Sequence, residues 1–173
     1  MPQALLIVDV QNELVDALDS RRRAELIERV GSLAERARTG GIPVVYVRHG
    51  DEGLKPGTEP WQIPSEIAPR AGEPIVEKSF GDSFRETDLG DVLGARSVDH
   101  LVVCGMQSDF CIDATVRGGL ARGYRVTLVE DAHATYPSGG KSEGAIHDEL
   151  HAALRALDAE LITSSIALRP ESK

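Results

Sequence analysis

The sequence predicts an α/β fold, a parallel sheet covered by helices on both faces. Three observations predict it. Short apolar runs alternate along the chain with stretches of helical periodicity. The apolar runs are nearly continuous rather than alternating with polar residues, as strands covered on both faces are. The length, 173 residues, suits a single domain over residues 1–173 with one sizeable core.

Residues 4–10 form the first strand and lead into Asp9-Val10-Gln11-Asn12. Residues 22–38 place Leu26, Ile27, Val30, Leu33, Ala34 and Ala37 at helical spacing, and Gly40-Gly41 stops that helix. Residues 43–48 (P-V-V-Y-V-R) are a second strand. Residues 50–72 are rich in glycine and proline and read as a long irregular loop with a helical turn near Ser65. A loop of that length in a compact domain is usually functional or disordered. It holds Trp61, the only tryptophan, which either pins the loop to the body or walls a substrate site.

Residues 74–78 are a short third strand, and 88–93 a short helix capped by Thr87 or Asp88. Residues 98–104 are the fourth strand, 111–122 the next helix, and Gly123 its stop. The fifth strand, 125–129, ends in Glu130-Asp131-Ala132-His133. Residues 141–157 make a long amphipathic helix, 160–163 the sixth strand, and 168–173 a frayed tail. Strand–helix alternation implies right-handed crossovers.

The chain is acidic, with 19 Lys+Arg against 28 Asp+Glu and a formal charge of −9. That balance argues against nucleic-acid and acidic-membrane partners. No apolar run approaches the roughly 20 residues of a membrane helix. The N-terminus lacks the basic stretch and cleavage pattern of a signal peptide. Two cysteines do not make a disulfide framework. A cytoplasmic protein with reduced thiols is expected.

In such sheets ligands bind beyond the carboxyl ends of the strands. Those ends carry Asp9 and Gln11, Arg48 and His49, Lys78, the segment from Cys104 to Cys111, and Asp131 with His133. A carboxylate, an ammonium and a thiol at three strand ends make a chemical set. Cys111, where a helix begins, sits in the positive field of the first turn, which favours thiolate. Asp9 is placed to take its proton, Lys78 to hold thiolate and carboxylate together, and backbone N–H groups from Gln107 to Cys111 to receive an oxyanion. Taken singly, each is as readily structural: Asp9 a turn residue, Lys78 a solvated cation, Cys111 a small buried hydrophobe.

The segments L-L-I-V-D-V-Q-N, V-E-K-S-F, G-M-Q-S-D-F-C-I-D-A-T-V-R and G-Y-R-V-T-L-V-E-D-A-H together resemble the signature segments of the isochorismatase-like cysteine hydrolases. That family includes nicotinamidases and N-carbamoylsarcosine amidase. The resemblance implies a three-layer α/β/α fold with a six-stranded parallel sheet in the order 3-2-1-4-5-6. It implies an Asp–Lys–Cys triad at Asp9, Lys78 and Cys111, and a cis peptide at Met106–Gln107 that aims the Gln107 N–H, with that of Cys111, at the oxyanion. It also implies a homo-oligomer, a dimer or tetramer. The expected reaction is hydrolysis of a C–N bond in a small amide, ureide or carbamoyl compound through a thioester. Nicotinamidases carry an Asp-x-His metal motif; here Asp51 is followed by Glu52 and Gly53, so no metal and no other cofactor is expected. Ser108 stands where the family often has Thr, and both offer a hydroxyl.

The residues expected at the substrate are Gln11, His49, Trp61, Phe80, Phe84, Phe110 and Tyr136, with His49 equally readable as a surface turn. His133 is expected to brace the site, and Cys104 to be core. His147 and His151 share a helix face at a spacing that can bind zinc, but a third ligand is missing, so surface or dimer packing is expected. Other readings of the whole chain are a non-catalytic small-molecule-binding or assembly module with a vestigial site, a vinyl ether hydrolase of the isochorismatase type, and a nucleotide binder. Against the last, no Gly-rich phosphate fingerprint follows the first strand.

Overall fold

A computed structural model describes residues 2–169. The strands are β1 (Gln3–Val8), β2 (Val44–His49), β3 (Ile75–Lys78), β4 (His100–Met106), β5 (Arg125–Ala134) and β6 (Glu160–Ile162). They form one parallel sheet in the order β3-β2-β1-β4-β5-β6, as expected. The helices are α1 (Asn12–Asp16), α2 (Ser20–Thr39), α3 (Leu89–Gly94), α4 (Asp113–Ala121) and α5 (Glu143–Arg155).

The side-chain period of two divides β1 between two cores. Leu5 and Ile7 pack with Leu26, Val30 and Leu33 of α2. Ala4, Leu6 and Val8 pack with Leu89 and Leu93 of α3, Val116 of α4, and Leu150 and Leu154 of α5. Those two packings are the outer layers of a three-layer α/β/α sandwich. α2 begins two residues before the expected start at residue 22 because the Asp19 carboxylate accepts from the N–H groups of Arg21 and Arg22.

Three segments differ from the sequence expectation. The short helix α1 is too brief for an apolar stripe to reveal it; Val15 is its one buried side chain. β5 runs on to Ala134, with a register shift against β4 between Val103 and Gly105. The expected frayed tail is anchored where it is described: Leu168 is buried, and Arg36 Nη1 donates to the carbonyls of Ser164 and Ala167. Residues 170–173 of that tail lie outside the described residues.

The long loop is pinned to the sheet. Its one helical turn is Ser65–Ile67. Leu54, Trp61 and Ile67 are buried, and the Tyr46 hydroxyl donates to the Ile67 carbonyl.

Candidate active site

The carboxyl ends of β1 to β4 converge. Asp9 follows β1 with φ of 51°, a left-handed conformation that Asp adopts more readily than most residues. His49 and Lys78 end β2 and β3 directly opposite each other. Gly105 pairs with Val8, and a Cβ at that glycine would lie 2.0 Å from the Val8 carbonyl oxygen. With φ of 126°, only glycine fits there, and its smallness lets the ends of β1 and β4 close on each other.

After β4 the chain enters the turn that carries Cys111. Met106–Gln107 is cis. Ser108–Ile112 then form a π-helical turn, in which the Ile112 N–H reaches the Gln107 carbonyl at 3.1 Å. Such turns inside helices are frequent at functional sites. Cys111 therefore lies in this wider turn, and the regular helix α4 starts two residues later.

Lys78 is the hub. Its Nζ donates to Asp9 Oδ2 at 2.8 Å, to the Phe80 carbonyl at 3.0 Å and to Cys111 Sγ at 3.2 Å, and faces His49 Nδ1 at 3.3 Å. The Lys78 and Asp9 side chains are 0% and 2% exposed. Asp9 Oδ1 is buried with no hydrogen-bond partner among the described residues. An Asp9 carboxylate oxygen, a His49 ring nitrogen and Cys111 Sγ all lie within 4.8 Å of one another.

These three are metal-competent donors, and the cluster was not legible in the sequence. The residues do not fit a resident metal, because the Lys78 ammonium already lies against all three. A cation there would face another cation and would have to displace it.

The Cys111 thiol lies under opposing influences. Burial pushes it up to about 12, the Asp9 charge adds to that, and Lys78 opposes it. Burial and the Asp9 charge thus work against the expected thiolate, and the Lys78 ammonium works for it. Cys104 is core, as expected, and burial raises its thiol too.

A cavity of about 360 Å³ opens over Asp9 and Cys111, walled by Leu14, His49, Leu54 and Gln107. A larger groove of about 480 Å³, between Asp113 and Glu149, contains none of Asp9, Lys78 and Cys111. Of the residues expected at the substrate, only His49 lines the smaller cavity. The Gln11 amide is taken up in bracing: its Nε2 donates to the His49 and Trp61 carbonyls and its Oε1 accepts from the His49 N–H. Trp61 lies beneath the Arg48 guanidinium, 3.3 Å from the ring centroid, and pins the loop. Phe80 lies beneath Arg85, Phe84 packs in the core beside Tyr124, and Phe110 is 61% exposed. The Tyr136 hydroxyl bonds to the Leu14 carbonyl, behind the cavity wall.

β5 and α5 brace the turn that carries Cys111. Ser108 Oγ lies 2.7 Å from His133 Nδ1 and 2.9 Å from His147 Nε2. His133 Nε2 lies 2.8 Å from His151 Nε2, and Thr135 donates to Asp109 at 2.6 Å. The three rings pack on one another. His147 and His151 are thus inward-facing, which corrects the expected surface or dimer packing. The i, i+4 spacing showed a shared face but not the partner, His133, on a strand distant in sequence.

Burial lowers the pKa of all three histidines, and their mutual proximity lowers those of His133 and His147 further. Each therefore binds fewer protons folded than unfolded. Stability is full above the ordinary value of about 6.5 and falls as pH drops below it, by up to about 1.4 kcal/mol per pH unit per histidine. Denaturant midpoints measured from about pH 7.5 down to 5 are expected to decline, and less steeply in His151→Gln. A flat profile would show that the cluster takes up protons without cost.

The sequence model of the isochorismatase domain matches residues 3–165. Two streptothricin hydrolases of Streptomyces noursei are 35% and 38% identical over 98% and 91% of this chain. Those alignments span 68% and 64% of the relatives' own length, so the chain covers about two thirds of them. The solved cysteine hydrolase of Pseudomonas syringae pv. phaseolicola superposes with a TM-score of 0.89 at 26% identity, covering 97% of this chain and 91% of that one. The N-carbamoylsarcosine amidase of Thermoplasma acidophilum superposes with a TM-score of 0.83 at 27% identity, over 99% and 100%.

Proposed function

From a chain that belongs to the isochorismatase family of hydrolases, we propose a cysteine hydrolase that opens a C–N bond of a small amide, ureide or carbamoyl compound through a thioester. The observation that carries this reading is the Lys78 ammonium held between the Asp9 carboxylate and the Cys111 thiol. Asp9 Oδ1, the carboxylate oxygen without a donor, takes the thiol proton. Sγ attacks the carbonyl carbon, and the backbone N–H groups of Gln107 and Cys111 receive the oxyanion. Asp9 passes its proton to the leaving nitrogen and the C–N bond breaks. Water, deprotonated by Asp9, attacks the thioester, and Sγ leaves and recovers a proton. Lys78 balances the negative charge in each step.

The chain acts without a metal or cofactor in this proposal, as one domain, in the cytoplasm and as a homo-oligomer. Two free cysteines support a reducing compartment. The exposed Phe110, next to Cys111, supports a subunit contact beside the site. No helix among the described residues is long and apolar enough to cross a membrane.

The test is a screen of small amides and ureides for ammonia or amine release, with mass spectrometry of the quenched protein. Turnover with a transient acyl adduct on Cys111 is expected. Ammonia release that persists with Cys111 unmodified would sink the thioester route.

A further inference from the structure

The charged wall of the cavity is of one sign. Glu13 and Asp51 line it together with Asp9, and no Lys or Arg side chain does. Glu13 is exposed and has no ion-pair partner among the described residues. Asp51 is fixed: its Oδ1 accepts from the Gly53 and Leu54 N–H groups and its Oδ2 lies 2.8 Å from His49 Nε2. Those bonds, the Leu54 one first, hold its carboxyl below the usual range, so it stays charged. Asp9 Oδ1 is buried and unpartnered at the cavity floor. The nearest ammonium, Lys78, is fully buried and divided among four acceptors, with no free proton for a substrate anion.

A cleft lined by carboxylates concentrates cations and repels anions, because its low-dielectric walls focus the field. Resting on the hydrolase reading for the scissile bond, we propose that this cavity selects a cationic substrate: an amide, ureide or carbamoyl compound whose ammonium or guanidinium group lies against Glu13 and Asp51. The same wall rejects compounds that carry a carboxylate near the scissile bond. Leu14 and Leu54 provide the apolar wall for the carbon chain between the two ends.

The experiment uses three amides of matched length: 6-aminohexanamide, hexanamide and adipic acid monoamide. Their kcat/KM values on the full chain are expected to fall in that order, with about tenfold or more between cation and anion at low salt, narrowing at about 0.5 M salt. Glu13→Gln is expected to shrink the ratio of cation to anion. The same amides titrated by calorimetry into Cys111→Ala read the charge order as affinity, independent of turnover. Charge order in affinity without turnover would overturn the hydrolase reading and support the charge selection. Turnover with equal or anion-favouring kcat/KM would overturn the charge selection alone. So would equal affinities, or no affinity for the cationic amide at millimolar concentration.

Discussion

Replacing Cys111 with alanine is expected to lower hydrolysis by about 10⁴-fold or more, with the thermal midpoint almost unchanged. The chemical loss is large because no other side chain at the cavity floor can form the acyl bond. The stability cost is small because Cys111 fills little of the core and its removal leaves Lys78 with Asp9, His49 and Phe80 as partners. Cys111→Ser is expected to fail almost as completely, since a hydroxyl gives up its proton less readily than even this raised thiol. Amine release and calorimetry on the three proteins are the measurements. Residual activity within about tenfold of the parent in Cys111→Ala would remove the cysteine from the reaction.

Lys78→Met is expected to cost both activity and about 3–5 kcal/mol of stability, because it leaves the Asp9 carboxylate buried without its cation. In a chain of this size that corresponds to a midpoint lower by roughly 10 °C. Asp9 has no reserve of donors, since its Oδ1 is already unpartnered. The double variant Asp9→Asn with Lys78→Met removes both charges and is expected to recover most of the stability while remaining inactive. Recovery of the midpoint without recovery of rate separates the structural role of the pair from its chemical one. If Lys78→Met unfolds at the parent temperature, the ammonium is not the partner that keeps Asp9 tolerable in the interior.

The triad and the histidine cluster differ in how far the sequence exposes them. Asp9, Lys78 and Cys111 each follow a recognisable strand, and ligand sites gather at carboxyl ends of parallel strands, so position along the chain was enough to group them. His133 lies on β5 just past its register shift and His147 and His151 on a helix face, and nothing in their spacing reports that β5 passes under α5. The aromatic residues fail as pocket markers for a related reason. Phe84 and Phe110 both sit near strand ends, yet one turns into the core and the other toward solvent. Which way a loop side chain turns is set by packing partners distant in sequence.

By itself the sequence determined the strand order through its likeness to a family, the element types through their hydrophobic periods, and the chemical set at the sheet's edge. These are local or inherited properties: a period of 2 or 3.6, a glycine stop, a motif. Only the tertiary structure decided that Lys78 touches both Asp9 and Cys111, that burial and the Asp9 charge raise the Cys111 thiol, and that the cavity wall is acidic. Those follow from burial and from charges brought together across the sheet, and an ionisable group's state depends on what surrounds it in space.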